Sequence, residues 1–392
     1  FFFKQKTAYE ISTRDWSSDV CSSDLTLTLS TGIVAYTLDD SDLDTQLLQA
    51  GSAVNESFTV YVIDDALNPS YGTAVFTIRG ANDAPTLSAA AATATLVEAG
   101  GVANGSAGTS SSSITLTLGD ADGVGTSSAG LGRYDTTFLT SNGWTNPSAG
   151  VYSKVGIYGT ATLTLGTGVL SYSLNNNDPD TEALVSTSSV TDSFVIQATD
   201  TLANVTMTAR FSITGANDTP VLAAPTAIAY TDTAADNTFG STQGQLSASD
   251  VDAGASLSFD VTGAVADTSI AGFTHSLAGT YGVLYLNSAT GAYQYVPNDA
   301  AIEALKAAAS DGFTVNVSDG TVSASRTLTV NIAATSDTPT LSAAVTSILI
   351  VDTALANDTF SPTTGLASAT DRDDTTRSEE HTSELQSRVD IS

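Results

Sequence analysis

Pairs of aspartates separated by one residue recur along this chain, and they are the residues best suited to chemistry. The pairs are Asp120 with Asp122, Asp250 with Asp252, and Asp371 with Asp373. Carboxylate oxygens are hard ligands of the kind that calcium takes in sets of six to eight. The whole chain has 2 histidines and 1 cysteine. Zinc sites and histidine- or cysteine-based catalytic triads therefore lack members, and we expect no enzyme.

A turn-rich stretch precedes each aspartate pair. The three copies are GANDAPTL (80–87), GANDTPVL (215–222) and ATSDTPTL (334–341). Asn and Asp favour turns, and Pro fixes φ and removes a backbone donor, so each copy reads as an ordered linker. The copies lie at intervals of roughly 120 to 135 residues, which fits boundaries between domains and is too wide for a solenoid.

Further acidic residues recur around these linkers. One acid follows each linker in the next opening strand, and an acidic segment lies between the fifth and sixth strands of a repeat. In a sandwich with strands running alternately up and down, the aspartate pair faces the preceding linker and the acidic segment faces the following one. We therefore predict calcium as the cofactor. The predicted ligands are Glu98, Asp178, Asp180, Glu182, Asn217, Asp218, Asp250, Asp252, Asn82, Asp83, Asp120, Asp122, Asp232, Asp299, Asp337, Asp371 and Asp373.

The alternative is that these residues simply form turns, because Asp, Asn and Gly are good β-turn residues. For the turn between the sixth and seventh strands we hold that interpretation. Its residues are Asp64, Asp200 and Asp319.

Alternating strands predict the fold. Residues 26–48 and 162–184 match closely, and 282–305 form a third copy. Each copy reads as a β-hairpin with an inward tyrosine, followed by a strand with an inward phenylalanine. The matched residues are Tyr36, Tyr172 and Tyr293, then Phe58, Phe194 and Phe313. Short strands with frequent turn signals predict an all-β sandwich for each repeat.

The ANDAP and ANDTP linkers, the YGTATLTL hairpin (158–165) and the Tyr–Ser–Leu–Asn–Asn run resemble the VCBS repeat of large bacterial surface proteins and adhesins. The resemblance covers three repeats. It implies tandem immunoglobulin- or cadherin-like β-sandwich repeats, export from the cell, and arrays stiffened by calcium. The chain departs from this pattern at Ser336, which replaces the linker asparagine, and in 131–157, which lengthens the second repeat.

Both ends resemble translated sequencing-adapter read-through and are excluded from the fold prediction. The predicted boundaries are 1–25 (artefactual segment), 26–85 (partial repeat 1), 86–220 (repeat 2), 221–339 (repeat 3), 340–376 (truncated repeat 4) and 377–392 (artefactual segment). We expect the excluded ends not to pack against the sandwiches. Repeat 1 lacks its opening strands, so we expect it to be the least stable repeat, with an unpaired edge.

Charge restricts the possible partners. With 12 basic and 42 acidic residues the formal net charge is −30, which argues against nucleic acid and anionic membranes and suits divalent cations. No apolar stretch is long enough to span a bilayer, so no membrane insertion is expected.

The function predicted from these observations is a structural spacer in a secreted or cell-surface bacterial adhesin. Calcium would make the junctions between its repeats rigid. The full-length protein would mediate cell adhesion through an unknown host or surface ligand, protein or glycan. Two alternatives are a glycan- or protein-binding module that uses the loop around Trp144, and an accessory region of a secreted enzyme. Trp144 is interpreted as a loop or core residue, and His275 as a surface-loop residue.

Overall fold

The computed structural model describes residues 23–28, 31–64, 66–123, 131–343 and 367–373. The chain divides into two compact units, one of residues 1–100 and 104–216 and the other of residues 101–103 and 217–392. The first holds repeats 1 and 2, and the second holds repeat 3 and the start of repeat 4. The linkers 80–87 and 334–341 therefore lie inside units, although the sequence analysis treated all three linkers alike.

Repeat 1 consists of two small antiparallel sheets. Its elements are β1 (Ser23–Thr28), β2 (Ile33–Leu38), α1 (Leu43–Gln46), β3 (Ala53–Ile63) and β4 (Pro69–Arg79). Strand β1 pairs with β2, and β3 pairs with β4. Phe58 packs against Tyr36 and Phe76, with ring centroids 5.8 and 5.9 Å away. Two-stranded sheets leave edges unpaired among the described residues, which agrees with the expected open edge.

Strand β1 begins inside the segment that the sequence analysis excluded. Ser23, Asp24 and Leu25 pair with Leu38, Thr37 and Tyr36. The expectation that this end makes no packing contact is therefore wrong for residues 23–25. Strands pair through their backbone groups, so β1 can extend along β2 whatever its side chains are. Residues 1–22 and 377–392 lie outside the described residues.

Repeat 2 is a β-sandwich of a six-stranded and a four-stranded sheet. Its strands are β5 (Thr86–Ala89), β6 (Thr93–Val97), β7 (Ser111–Gly119), β8 (Arg133–Tyr134), β9 (Thr145–Ser148), β10 (Val151–Val155), β11 (Gly159–Thr164), β12 (Val169–Leu174), β13 (Ser189–Thr199) and β14 (Asn204–Thr214). Its helices are α2 (Thr136–Ser141) and α3 (Pro179–Glu182), and a 3₁₀ turn spans Val102–Asn104. The sheet orders are β5-β7-β12-β11-β10-β9 and β6-β14-β13-β8. Strand β6 runs parallel to β14, and the other neighbours are antiparallel.

The core of repeat 2 follows from alternation in its strands. In β13 the side chains of Phe194, Ile196 and Ala198 are buried while Ser193, Val195 and Gln197 are not. Because successive residues of a strand point to opposite faces, this alternation places one face against the other sheet. Burial of each large apolar side chain stabilises the sandwich by roughly 1.5 to 3 kcal/mol.

Repeat 3 forms the same kind of sandwich in the second unit. Its strands are β15 (Val221–Leu222), β16 (Ile228–Thr231), β17 (Thr242–Gln245), β18 (Ala248–Ser249), β19 (Ser258–Val261), β20 (Val265–Ala266), β21 (His275–Ala278), β22 (Gly282–Leu286), β23 (Ala292–Pro297), β24 (Ala309–Ser318) and β25 (Ser323–Ala333), with α4 at Asp299–Glu303. Its main sheets have the orders β16-β25-β24-β19 and β17-β23-β22-β21-β20. The described part of repeat 4 is one pair, β26 (Thr340–Ala343) with β27 (Ala367–Thr370).

In each complete repeat, a buried aspartate accepts hydrogen bonds from the hairpin. In repeat 2, Asp192 accepts the Tyr172 hydroxyl at 2.6 Å and the backbone N–H groups of Ile157 and Tyr158 at 3.1 Å. Burial and this hydrogen bond raise the pKa of Tyr172 well above its ordinary value. The carboxylate thus satisfies one buried hydroxyl and two part-buried N–H groups.

In repeat 3 the equivalent tyrosine is Tyr295. Its hydroxyl donates to Asp311 at 2.9 Å, and Asp311 also accepts the N–H groups of Thr280 and Tyr281. The sequence alignment placed Tyr293 in this position, and that placement is wrong by two residues. Tyr293 is also buried and lies on the same face of β23, so alternation cannot distinguish the two.

We expect Asp192→Ala to destabilise repeat 2 by about 3 kcal/mol, because a buried hydroxyl and two part-buried N–H groups lose a charged acceptor. Urea unfolding followed by the fluorescence of Trp144, which packs against Phe194, reports on this repeat. Asp180→Ala, at an exposed position of α3, is the matched control in the presence of a chelator and should change stability by less than about 0.5 kcal/mol. Equal losses in the two variants would contradict the assigned role.

Candidate metal-binding clusters at the linkers

Each aspartate pair holds the linker that precedes it. Asp120 accepts the N–H of Asp122 at 3.0 Å, and Asp122 accepts the N–H of the linker residue Asp83 at 2.9 Å. The same two-step arrangement joins Asp250, Asp252 and Asp218, and it joins Asp371, Asp373 and Asp337. The prediction that each pair faces the preceding linker is confirmed by these contacts.

The linker asparagine makes a second set of hydrogen bonds that hold the linker. Asn82 donates from Nδ2 to the carbonyl of Asp83 at 2.8 Å and to Asp200 Oδ2 at 2.7 Å. Asn217 makes the corresponding bonds to Asp218 and Asp319, at 2.6 and 2.8 Å. Side chains therefore hold these linkers in addition to their few backbone hydrogen bonds.

The residues that we interpreted as turn formers do form the turns. Asp200 accepts the N–H groups of Leu202 and Ala203, and Asp319 accepts those of Thr321 and Val322. Burial opposes ionisation of Asp200, but hydrogen bonds from Ala203, Asn82 and Leu202 outweigh it and lower its pKa. Sequence reasoning missed the additional contact of these two residues with the linker asparagines.

Two further carboxylates lie at the end of repeat 2 where its last strand leaves. Glu98 accepts the N–H of Ala216 at 3.1 Å, and Glu182 accepts Asn104 Nδ2 at 2.6 Å. Glu98 is 1% exposed. Both residues belong to the predicted set.

In repeat 3, Asp232 and Glu303 occupy the positions of Glu98 and Glu182, and with Asp337 they form an acidic cluster. Asp232, Glu303 and Asp337 each place one carboxylate oxygen within 4.8 Å of the others. Asp232 accepts the N–H of Thr335 at 3.3 Å, and Glu303 accepts that of Asn237 at 2.9 Å. Among the described residues this is the one group of three metal-ligand side chains at such spacing.

Crowding and burial disfavour the ionised forms in this cluster. Burial raises the pKa of Asp337, and the charges of Asp373 and Asp232 raise it further. Burial likewise raises the pKa of Glu303, with Asp337 and Asp232 adding to the shift. At the linker 80–87, burial raises the pKa of Asp120. A cation among these carboxylates would relieve both the repulsion and the lost hydration.

The donor set fits calcium. Several buried oxygen atoms in the described residues have no hydrogen-bond partner: Asn82 Oδ1, Asp120 Oδ2 and Asp122 Oδ1 in the first unit, and Asp232 Oδ1, Asp250 Oδ2, both Asp337 oxygens and Asp373 Oδ1 in the second. Buried acceptors are ordinarily satisfied, so such a concentration calls for a bound cation or water. All the donors are carboxylate or amide oxygens, the ligands that calcium prefers.

Glu303 is the ligand candidate that sequence reasoning missed. Asp299 was chosen from the acidic segment of repeat 3, but its carboxylate accepts the N–H of Phe239 at 3.1 Å. The signal was present, because Thr-Glu-Ala-Leu (181–184) and Ile-Glu-Ala-Leu (302–305) align Glu182 with Glu303. In repeat 2, Asp178 caps α3 and Asp180 is exposed in its first turn. For Asp178, Asp180 and Asp299 metal ligation stays a prediction.

Two other residues singled out from the sequence are structural. Trp144 is 3% exposed and packs edge-on against Phe194, with ring centroids 5.9 Å apart, so the core interpretation holds. His275 begins β21 and is half-buried beside Thr274. The prediction of a surface loop for His275 is wrong, because the alternation of β21 was not recognised.

Comparison with known proteins found one family model and several solved structures that are similar to parts of this chain. Residues 217–335 match the family model of the bacterial cadherin-like domain. The chain is similar to the extracellular cadherin domains 1–5 of protocadherin gamma B2, with 13% identity over 83% of this chain and 52% of that chain and a TM-score of 0.39. It is also similar to Drosophila N-cadherin EC1–4, with 10% identity over 86% and 69% of the two chains and a TM-score of 0.27.

An endo-fucoidan hydrolase of glycoside hydrolase family 107 is similar at 13% identity over 84% of this chain and 38% of that chain, with a TM-score of 0.21. This chain spans about half (52%) of the length of the protocadherin gamma B2 structure. No curated protein matches it. The all-β fold of tandem cadherin-like sandwiches is as the sequence predicted, and repeat 3 (221–339) corresponds to the family match.

Among the described residues, no helix has the length and apolar character needed to cross a membrane.

We expect Asp122→Ala to speed hydrogen exchange at the Asp83 amide by at least about tenfold, because that N–H loses its acceptor. Exchange measured by NMR or mass spectrometry over 80–87 tests this without any metal. Asp39→Ala is the control, since Asp39 is an exposed acid that accepts from Ser41. If the two variants exchange alike at Asp83, the carboxylate does not hold the linker.

Proposed function

We propose that this chain is a spacer region of an exported bacterial surface adhesin, in which calcium orders the linkers between repeats. The observation that carries the proposal is the buried group Asp232, Glu303 and Asp337, whose oxygens lie within 4.8 Å and include acceptors without partners. The resemblance to VCBS repeats, and the match of 217–335 to a bacterial cadherin-like domain, support the same conclusion.

Calcium would act by charge neutralisation. Carboxylates from the opening strand, the short helix and the linker repel one another in a partly dehydrated setting, where screening by water is weak. Asp232, Glu303 and Asp337 would hold the ion, and Asp371 and Asp373 lie at the same linker. Because these residues come from different repeats, a shared ion would oppose bending of 334–341.

The remaining predicted ligands extend the proposal to the other linkers. At 80–87 they are Asn82, Asp83, Asp120 and Asp122. The rest are Glu98 and Glu182 in the first unit and Asn217, Asp218, Asp250 and Asp252 in the second. Repeat 1 has Gln46 where repeats 2 and 3 have Glu182 and Glu303. We therefore expect weaker calcium binding at 80–87 than at the other two linkers.

The spacer role is a non-catalytic one at the cell surface. A spacer holds a distal binding domain away from the cell, and the adhesion partner would be a protein or glycan that the full-length protein contacts. Tandem copies with matching linkers favour this role, because a dedicated binding module has no need for repeated acidic linkers.

A second candidate is direct binding of a glycan or peptide by repeat 2. An open cleft of about 840 Å³ is lined by Arg133, Asp135, Thr137 and Thr199, with Tyr134 and Leu165 beside them. A cleft lined by both polar and apolar side chains is typical of small-ligand sites. A glycan array probed with the whole chain tests this candidate: specific binding that Arg133→Gln abolishes would favour it over the spacer role.

We expect calcium to raise the unfolding temperature of the whole chain by several degrees. At free calcium about 100-fold above its dissociation constant, binding to the folded state adds about 2.7 kcal/mol. Differential scanning calorimetry with calcium and with chelator measures the increment. Asp232→Asn combined with Asp337→Asn should remove most of it for repeat 3, whereas Asp260→Asn, at an exposed position of β19, should not. An unfolding profile unchanged by calcium would refute the proposed function.

A further inference from the structure

The third aspartate pair differs from the first two in carrying its own cation. Arg372 stands between Asp371 and Asp373, where the other pairs have Ala121 and Val251. A guanidinium group stays charged at every physiological pH. One linker of the three therefore has a fixed positive charge next to its carboxylates.

Arg372 contacts the acidic cluster directly. Its Nη1 lies 3.5 Å from Glu303 Oε2, and its Nη2 pairs with Asp236. The side chain of Glu303 is 1% exposed, whereas that of Arg372 is 47% exposed. The arginine thus reaches from solvent to one of the three carboxylates that would hold calcium.

The third linker also lacks a feature of the other two. Ser336 replaces the asparagine that is Asn82 in the first linker and Asn217 in the second. Asn82 ties its linker to Asp200 and presents a buried Oδ1 without a partner. Serine has no amide group, so Ser336 cannot donate from an amide nitrogen and present an amide oxygen as Asn82 does. The third linker has therefore lost a neutral oxygen donor and gained a cation.

We propose that Arg372 is a built-in counter-ion for Asp232, Glu303 and Asp337. It weakens calcium binding by these carboxylates, and it neutralises part of their charge when calcium is absent. This inference rests on the proposed function. The guanidinium reduces the net negative charge that attracts a divalent ion, and it occupies a lone pair of Glu303. Since Arg372 is half exposed, it can swing into solvent when calcium binds, so it raises the calcium level needed without abolishing the site.

Hydrogen exchange of the whole chain, titrated with free calcium and read by mass spectrometry, tests this locally. Peptides that cover 334–341 report on the third linker, and peptides that cover 215–222 serve as an internal reference. The variant is Arg372→Gln. The control is Arg210→Gln, which removes the same charge from a residue that donates to the Ser193 hydroxyl at 3.2 Å, outside both linkers.

We expect Arg372→Gln to lower the calcium midpoint for protection of 334–341 by about fivefold, the scale of a partly exposed charge pair. Without calcium the same peptide should exchange faster than in the unmodified chain, because its internal counter-ion is gone. The midpoint for 215–222 should stay within about twofold. Arg210→Gln should leave both midpoints within that range.

An unchanged or raised midpoint at 334–341 in Arg372→Gln, with 215–222 still responding to calcium, overturns the role of Arg372 alone. An equal shift in Arg210→Gln also overturns it, because the effect would then reflect overall charge. If neither linker responds to calcium in any variant, the proposed function itself fails.

Discussion

The structure depends on how the linkers satisfy their backbone N–H groups. A strand in a sheet finds acceptors on its neighbours, whereas these linkers make only a few backbone hydrogen bonds, such as those of the Gly80 and Gly215 N–H groups, and their other N–H groups need side-chain acceptors. Here the acceptors are carboxylates: Asp122 takes the N–H of Asp83, Asp252 that of Asp218, and Glu98 that of Ala216. This solution fixes the linker and at the same time gathers negative charge around it.

The same aspartate can therefore form a turn and leave an oxygen for a metal. Asp120 uses Oδ1 to accept the N–H of Asp122, which shapes the turn, and its Oδ2 remains buried without a hydrogen-bond partner. The sequence analysis treated turn formation and metal binding as alternatives for such residues. A carboxylate has two oxygens and about four lone-pair directions, so the two roles are compatible within one side chain.

Local pattern was enough to predict the repeats, the sandwich fold and the aspartate pairs, because alternation and fixed spacing are visible in the chain. Local pattern was not enough to predict strand register or contacts between residues far apart in sequence. Tyr295 rather than Tyr293 meets Asp311, since β23 has both tyrosines on its inner face. The contact of Arg372 with Glu303 joins residues 69 positions apart in sequence, and no local pattern specifies such a pair.

A chain with a formal net charge of −30 would be expected to carry its few cations where they relieve the most repulsion. Arg372 does so at the cluster where burial and neighbouring charges already raise the pKa values of Asp337 and Glu303. Its alternative, a bound metal, neutralises two charges and coordinates several oxygens at once, but only when the metal is present. An arginine supplies one charge permanently and with less geometric demand. Under the proposed role of Arg372, the single residue between two aspartates would set the calcium requirement of each linker separately.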